Sequence, residues 1–334
     1  MCEASAALDA GAGTIAVADD DSYSLHLYRL GDHSPAGTVP LTAFLGGDPE
    51  EAPDIEGATR IGDTGFWITS HSLTKKANVK RERLKLFRTR LSAGPGAAAV
   101  PVGRAYDGLR EDLLEAMKGS EWALEDAATR TPETGLTKDE LPPKAEKGQD
   151  AAPAQPAFSA EAMRRHAEGG FNIEGLAAGP GDTLLLGFRS PVRLGKALVV
   201  PLLNGPEITA GVARGASVPK AKFGAAMGVD LGGLGIRSIA RMPGSDDYLI
   251  AAGPVGDGGT FRLYRWHLGD KAGVYLRDLP AGLIGEAMLM PSTTPGQLLV
   301  LSDDGDRKGC KDKPRFRSAL IPLAGLKGPT KPQE

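Results

Sequence analysis

A glutamate recurs at one position of a repeated sequence unit, and this position carries most of the chemistry that the sequence suggests. The unit is a short apolar-Glu-small segment, a turn and an apolar run. Its five copies carry, in chain order, Glu3, Glu56, Glu174, Arg237 and Glu286 at the shared position. If these side chains converge, like charges raise the pKa values of the carboxylates and the arginine opposes that rise. Such a ring binds a cation, holds protons, or ties the repeats together through hydrogen bonds to backbone amides, and these alternatives stay open at this point.

Two aspartate clusters follow the apolar run of the first and the last repeat. They contain Asp19 and Asp20 in the sequence ADDD, and Asp303 and Asp304 in SDDGD. Ca²⁺ prefers several oxygen ligands, and these clusters supply carboxylates, although without the spacing of an EF-hand loop. We therefore interpret the four aspartates as candidate ligands of Ca²⁺ or another divalent cation. The alternative is that they form turns by bonding to their own backbone.

Two further polar residues occupy the corresponding places in the second and third repeats. They are His71 and Arg189. Both side chains suit the binding of an anion or a substrate phosphate, and a histidine surrounded by a pocket also suits the role of general base.

The repeats themselves predict the fold. They begin at Cys2, Asp54, Asn172, Gly235 and Gly285. Each combines a short strand, a turn rich in Gly, Asp or Pro, and a run with the length and apolar content of a buried strand. A third strand with alternating apolar and polar residues follows in every unit, as in LHLYRL from Leu25. Because such units cannot bury their faces alone, we predict an all-β protein, a β-propeller with five recognisable blades.

Residues 108–170 interrupt the repeats between the second and third blades. Apolar residues recur at helical spacing after Gly108, and a second short helix is predicted from Ser159 to the stop at Gly169. The charged, Pro-rich stretch from Thr131 predicts a mobile linker. We therefore predict a helical and linker insertion within a single propeller domain of residues 1–334, with a degenerate sixth blade in this interval as the alternative.

Composition and motifs exclude several classes of function. The formal net charge of −3 gives no global field that attracts nucleic acid. No apolar stretch approaches the roughly 20 residues that span a bilayer. The chain contains no GxSxG, HExxH or GxxxxGK[ST] motif, which disfavours the common hydrolase, zincin and nucleotide-binding sites. The first residues lack a signal peptide, which indicates a cytoplasmic location as the chain is written, whereas a leader trimmed from the N-terminus would indicate export. We expect the protein to be a monomer.

Several longer motifs extend along the chain: CEASA at Cys2, IEGLA at Ile173, LLLGFR at Leu184, LGGLGIRSIAR at Leu231, YLIAAGP at Tyr248, FRLYRW at Phe261 and LLVLSDDG at Leu298. They resemble those of a bacterial family, the domain of unknown function 3616, over nearly the whole chain. The resemblance implies a β-propeller, in agreement with the repeats, and brings no activity with it. A looser similarity to esterase-like phytase propellers, whose blades also carry an EG pair followed by a strand, implies a hydrolase of phosphate esters.

The two cysteines lie at opposite ends of the chain, at Cys2 and Cys310. In a closed propeller the first strand and the last blade are neighbours, so a disulfide between these residues is geometrically possible. Their positions look like those of family cysteines, and the resemblance therefore favours pairing. Two reduced thiols are the alternative.

Two functions from different classes are compatible with this sequence. The first is a binding scaffold whose channel mouth holds a small-molecule or protein ligand. The second is a metal-assisted hydrolase of phosphate or other esters, with Glu56, Glu174 and Glu286 as ligands or bases and with Arg189, Arg237 and His71 stabilising an anionic group. Because Arg237 breaks the pattern of the ring, the fourth blade is the expected place for a ligand.

Overall fold

The computed structural model describes residues 1–48, 51–92, 98–141, 159–211, 217–256, 258–305, 307–308, 310, 315–324 and 326. Within these residues the strands form five antiparallel sheets, four with four strands and one with three. The predicted all-β class and the five-bladed propeller are confirmed.

The strands of every blade follow one another in chain order. Blade 1 contains β1 (Ala6–Gly11), β2 (Thr14–Ala18), β3 (Ser24–Arg29) and β4 (Gly37–Pro40). Blade 2 contains β5 (Ile55–Ile61), β6 (Thr64–Thr69), β7 (Leu86–Ser92) and β8 (Ala98–Tyr106). Blade 3 contains β9 (Asn172–Ala178), β10 (Leu184–Ser190), β11 (Lys196–Leu202) and β12 (Met227–Asp230). Blade 4 contains β13 (Gly235–Arg241), β14 (Asp247–Gly253), β15 (Arg262–His267) and β16 (Val274–Asp278), and blade 5 contains β17 (Gly285–Leu289), β18 (Gln297–Ser302) and β19 (Ser318–Pro322).

The first strands of the five blades surround one central channel. β1 packs beside β5, β5 beside β9, β9 beside β13 and β13 beside β17, and β17 returns to β1. Each unit buries its faces against its two neighbours, which is how blades that are unstable alone become a stable ring.

Apolar side chains between neighbouring blades form the core. The second strands are buried along nearly their whole length, as the apolar runs TIAVA and LLLGFRS predict. Gly57 lies where two blades come close, because a Cβ atom there would be 2.9 Å from Ile68 of its own blade and 2.9 Å from Leu176 of the next. The Glu-Gly pair of this repeat therefore supplies a ring residue and then a residue small enough for the blades to pack.

The two ends of the chain meet at the junction of blades 1 and 5. Cys2 and Cys310 form a disulfide with 5.9 Å between their Cα atoms, across 308 positions of sequence. The amide of Asp304 donates a 3.1 Å hydrogen bond to the carbonyl oxygen of Cys2. Glu3 and Asp303 pair in an isolated antiparallel bridge. Covalent and backbone bonds together close the ring.

Short helices connect some of the strands, and three of them lie between β8 and β9. In chain order the helices are α1 (Thr42–Leu45), α2 (Leu109–Ala116), α3 (Leu124–Ala127), α4 (Ala160–Glu168) and α5 (Gly205–Ile208). Leu109, Leu113 and Leu124 pack into the apolar core between blades 2 and 3. The hydroxyl of Ser159 accepts a 3.1 Å hydrogen bond from the amide of Ala162, which is the predicted N-cap of α4.

The first part of the stretch expected to be a linker is packed instead. The amide of Thr131 donates to the carbonyl oxygen of Leu136 at 2.9 Å, and Glu140 forms an ion pair with Arg165 of α4. Polar contacts hold this turn, so a composition poor in large apolar residues did not reveal it. Residues 142–158 of the predicted linker lie outside the described residues. That residues 108–170 form an insertion within a single propeller domain stays a prediction.

Candidate functional site

Four of the five ring residues lie on β-bulges of the innermost strands. The pairing between the first and second strands passes from Ile55 to Gly57, from Ile173 to Gly175, from Ile236 to Ser238 and from Gly285 to Ala287. The residue skipped each time is Glu56, Glu174, Arg237 or Glu286. A bulge bends its strand and re-aims the extra side chain. Glu3, the fifth ring residue, precedes β1 and lies beside Asp303 in the bridge that closes the ring.

All five ring residues line one cavity at the channel mouth where the innermost strands begin. Its volume is about 510 Å³. The described lining contains nine carboxylates and four cationic side chains. The carboxylates belong to Glu3, Asp20, Asp21, Asp54, Glu56, Glu133, Glu174, Glu286 and Asp303, and the cations to Lys75, Arg83, Arg189 and Arg237. The convergence expected from the sequence is present, in a markedly acidic cavity.

On the side of blades 3, 4 and 5 the charges are paired. The Nη1 atom of Arg237 donates to both carboxylate oxygens of Glu174 at 3.0 and 3.2 Å, and it lies 3.3 Å from Oε1 of Glu286. Arg189 donates to Glu174 at 3.0 Å and to the carbonyl oxygen of Val255 at 2.8 Å. Both guanidiniums are therefore engaged by protein groups.

On the side of blades 1 and 2 the carboxylates are crowded together. Oxygen atoms of Glu3, Asp20 and Asp21 lie within 4.8 Å of one another, and those of Asp20, Asp54 and Glu56 do likewise. Asp20 belongs to both groups. Arg83 forms an ion pair with Asp54 at 3.0 Å and so compensates one carboxylate of this half. The acidic half of the cavity thus consists of carboxylates grouped around Asp20.

Two buried oxygens that line this cavity have no hydrogen-bond donor in the described part of the chain. They are Oδ1 of Asp20 and Oδ1 of Asn172. Asn172 is only 4% exposed, and its Nδ2 donates to Glu174 at 2.9 Å, which turns its oxygen away from that carboxylate. A buried acceptor without a donor is costly, and it is usually satisfied by water or by an ion.

Burial and mutual repulsion raise the pKa values of the carboxylates in this cavity. Burial, with repulsion from Asp21, raises the pKa of Glu3 to about 7. Burial, opposed by Arg237 and reinforced by Glu174, raises the pKa of Glu286 to about 8. The pKa values of Asp20 and Glu56 are raised well above their usual range by the same two causes. Burial alone would lower the pKa of Arg237, but Glu174 and Glu286 more than offset it and raise that pKa.

Three of the residues singled out from the sequence lie elsewhere. His71 is fully buried outside the described cavity lining, its Nδ1 lies 2.8 Å from the carbonyl oxygen of Thr69, and burial lowers its pKa to about 4. Asp19 accepts a 3.0 Å hydrogen bond from the amide of Asp21, which is the turn-forming alternative. Asp304 is buried and accepts from Arg317 and from Ser302. The structure thus brings Asp20 and Asp303 into the cavity and leaves Asp19 and Asp304 in supporting positions outside its described lining.

Sequence reasoning missed several cavity residues. Asp54 and Asn172 each stand two positions before a ring glutamate, in DIEG and NIEG, so the alignment of the repeats contained a signal for them. Asp21 continues the aspartate run of ADDD. Arg83 and Glu133 come from connections between strands, where no repeat pattern identifies them.

Among the described residues, no helix is long and apolar enough to cross a membrane.

Part of the chain matches a known family. Residues 165–274 match the family described as "Protein of unknown function (DUF3616)", which confirms over this segment the resemblance drawn from the sequence motifs. No curated protein matches the chain.

Solved structures resemble this chain at low sequence identity and low TM-score. A putative oxidoreductase (glucose dehydrogenase) from Thermus thermophilus is 15% identical, with 96% of each chain covered and a TM-score of 0.42. The PQQ-bound aldose sugar dehydrogenase from Streptomyces coelicolor is 14% identical, with 95% of each chain covered and a TM-score of 0.38. Likenesses at these TM-scores carry no argument about the function of this chain.

Proposed function

We propose that this protein is a binding propeller whose channel mouth holds a divalent cation, with Asp20 as the central ligand and Ca²⁺ as the best-suited ion. The observation that carries the proposal is the buried, donor-free oxygen of Asp20 among the crowded carboxylates of the described residues, with a second such oxygen on Asn172 in the lining of the same cavity. A bound dication satisfies acceptors of this kind, whereas a neutral ligand would have to bring several donors. A second supporting feature is the excess of carboxylates over cations in the same cavity.

The donor set favours a hard cation. The described lining offers carboxylate and amide oxygens and no histidine or cysteine, so zinc and copper are disfavoured. Ca²⁺ accepts six to eight oxygens in flexible geometry, whereas Mg²⁺ demands a near-octahedral arrangement and keeps more of its water. The five crowded carboxylates come from blades 1 and 2 and the segments next to them, and such a set suits Ca²⁺, which tolerates irregular geometry. They belong to Glu3, Asp20, Asp21, Asp54 and Glu56.

Calorimetric titration with CaCl₂ after removal of divalent ions with a chelator tests this proposal. We expect saturable binding in the wild type and its loss in Asp20→Asn. The matched control is Asp182→Asn, the same substitution at an exposed aspartate in the cavity at the opposite end of the channel. A wild type that binds no divalent cation, or an Asp20→Asn variant that binds as tightly as Asp182→Asn, would contradict the proposal.

A metal-assisted hydrolase of phosphate or other esters is the second candidate, and two observations favour it. At about 30 Å³ per water molecule, a cavity of about 510 Å³ has room for a ligand beside a hydrated ion. Lys75 lines the cavity, is exposed, and forms no ion pair within the described residues, so it is available to an anionic group in a way that Arg189 and Arg237 are not.

A panel of phosphate and carboxylate esters, assayed with Ca²⁺ and with chelator, separates the two candidates. Turnover that requires Ca²⁺ and falls in both Asp20→Asn and Lys75→Met supports the hydrolase. Calcium binding without turnover of any ester in the panel supports the binding propeller.

A further inference from the structure

The disulfide that closes the ring is adjacent to a ligand of the proposed cation site. Cys2 is bonded to Cys310, and the next residue, Glu3, places its carboxylate in the group formed with Asp20 and Asp21. Glu3 differs from the other ring residues because it precedes β1 and does not lie on a bulge inside a strand. Its position therefore depends on how the first few residues are held.

The bonds that hold this segment are concentrated around the disulfide. Besides the S–S bond, the carbonyl oxygen of Cys2 accepts from the amide of Asp304, and Glu3 pairs with Asp303. Hydrogen bonds to the rest of blade 1 and to blade 2 begin at Ser5, whose amide donates to the carbonyl oxygen of Ala18 at 3.3 Å and whose hydroxyl donates to the carbonyl oxygen of Ile55 at 2.5 Å. Opening the disulfide thus leaves β1 attached and loosens the residues that carry Glu3.

The surroundings of the two sulfurs favour attack of a reductant at Cys2 and departure of Cys310. Cys310 is 1% exposed, while Cys2 is a partly exposed residue, so attack by an external thiolate is expected at Cys2. The Nη2 atom of Arg307 lies 3.8 Å from Sγ of Cys310. A neighbouring guanidinium stabilises a thiolate, so Cys310 is the better leaving group.

We infer that the Cys2–Cys310 disulfide is a redox control on the cation site, through the position of Glu3. A thiolate of a small dithiol attacks Sγ of Cys2, the S–S bond breaks, and Cys310 leaves as a thiolate beside Arg307. The second thiol of the reductant then displaces Cys2 from the mixed disulfide. Two electrons pass from the dithiol, which becomes a cyclic disulfide, and its two protons balance the two cysteine thiols formed. This inference rests on the proposed function, because the controlled property is cation binding.

The experiment compares CaCl₂ titrations of the oxidised protein and of the protein reduced with dithiothreitol, alongside Cys2→Ser/Cys310→Ser as a form that cannot be oxidised. We expect reduction and the double substitution each to weaken Ca²⁺ binding about tenfold, the size of effect found when a metal ligand loses its support. Glu3→Gln is the matched control: its oxidised form binds about as weakly as the reduced wild type, and reduction changes its affinity no further. Hydrogen exchange of the amides of residues 2–5 measures the loosening without any cation.

The outcomes separate this inference from the proposed function. If the oxidised wild type binds no cation, the proposed function fails, while faster exchange at residues 2–5 on reduction still supports the loosening step. If the oxidised wild type binds and reduction changes the affinity less than twofold, the redox control is overturned. An equal loss on reduction in wild type and Glu3→Gln also overturns it, because the effect then does not pass through Glu3.

Discussion

Replacing Arg237 with methionine tests whether the buried charges of the channel act as a unit. Arg237 and Glu174 are each 3% exposed and are joined by two hydrogen bonds of 3.0 and 3.2 Å. Complete loss of compensation costs about 3–5 kcal/mol in comparable buried pairs, and because Arg189 still contacts Glu174 and Glu286 still lies 3.3 Å from Arg237, each single change costs about 3 kcal/mol or less. We expect Arg237→Met and Glu174→Gln each to lower the free energy of unfolding by about that amount.

The double variant Arg237→Met/Glu174→Gln shows whether the two buried charges are coupled. Once Arg237 is absent, removing the charge of Glu174 eliminates a buried carboxylate whose compensation has been reduced to Arg189. The sum of the losses in unfolding free energy of the two single variants should therefore exceed the loss in the double variant by about 1–3 kcal/mol. Such a coupling is typical of residues in direct contact. If the losses came from packing defects alone, the loss in the double variant would equal the sum of the two single losses.

Urea denaturation at constant pH in the presence of chelator measures these free energies, with the slope of the transition checking that unfolding stays two-state. The matched control is Arg265→Met, which removes one of the two partners of Asp247, an arginine whose side chain is 55% exposed, and leaves His267. We expect this control to lose at most about 1 kcal/mol. Additive single variants, or an equally large loss in the exposed pair, would refute the buried-charge reasoning.

Three further outcomes are expected. In chelator, the unfolding free energy should fall as the pH rises from about 4.5 towards 8. The reason is that Glu3 and Glu286, with pKa values of about 7 and about 8, keep protons in the folded state that the unfolded chain has released. Melting temperatures measured across this range should depend less on pH when Ca²⁺ is added. Gly305→Ala should weaken Ca²⁺ binding about tenfold by calorimetry, as Glu3→Gln does, because a Cβ atom there would lie 1.6 Å from Oε1 of Glu3. Asp304→Asn should lower the melting temperature, since it weakens the ion pair that the buried carboxylate of Asp304 forms with Arg317, yet leave the Ca²⁺ affinity within twofold of wild type.

The fold was largely predictable from the sequence because each blade repeats the same local pattern. Buried second strands such as TIAVA and third strands with alternating polarity carry their own signal, and the turns between them are rich in glycine. The fourth strand of blade 3 lies outside the three-strand repeat predicted from the sequence, because β12 is separated from β11 by residues 203–226. Long-range pairing of this kind leaves no local period in the sequence.

The candidate site was predictable only as far as the repeats reached. Aligned copies identify Glu56, Glu174 and Glu286, but strand periodicity cannot say which way they point, because a slip of one residue reverses every side chain. The β-bulges settle the direction, since each ring residue lies outside the ladder and is free of the alternation of its neighbours. His71 shows the opposite case: it occupies a repeat position, yet it is buried outside the described cavity lining.

The contacts of Arg237 explain why the proposed ligand site lies beside blades 1 and 2, whereas the sequence suggested blade 4. As the exception in the ring, it made blade 4 the expected place for a ligand. Its guanidinium instead bonds to Glu174 of blade 3 and lies against Glu286 of blade 5, so that the charges of three blades compensate one another. The carboxylates left over are those around Asp20 in blades 1 and 2. The one arginine in the five-fold pattern thus compensates the carboxylates of one half of the channel, and the carboxylates of the other half are those assigned to a cation under the proposed function.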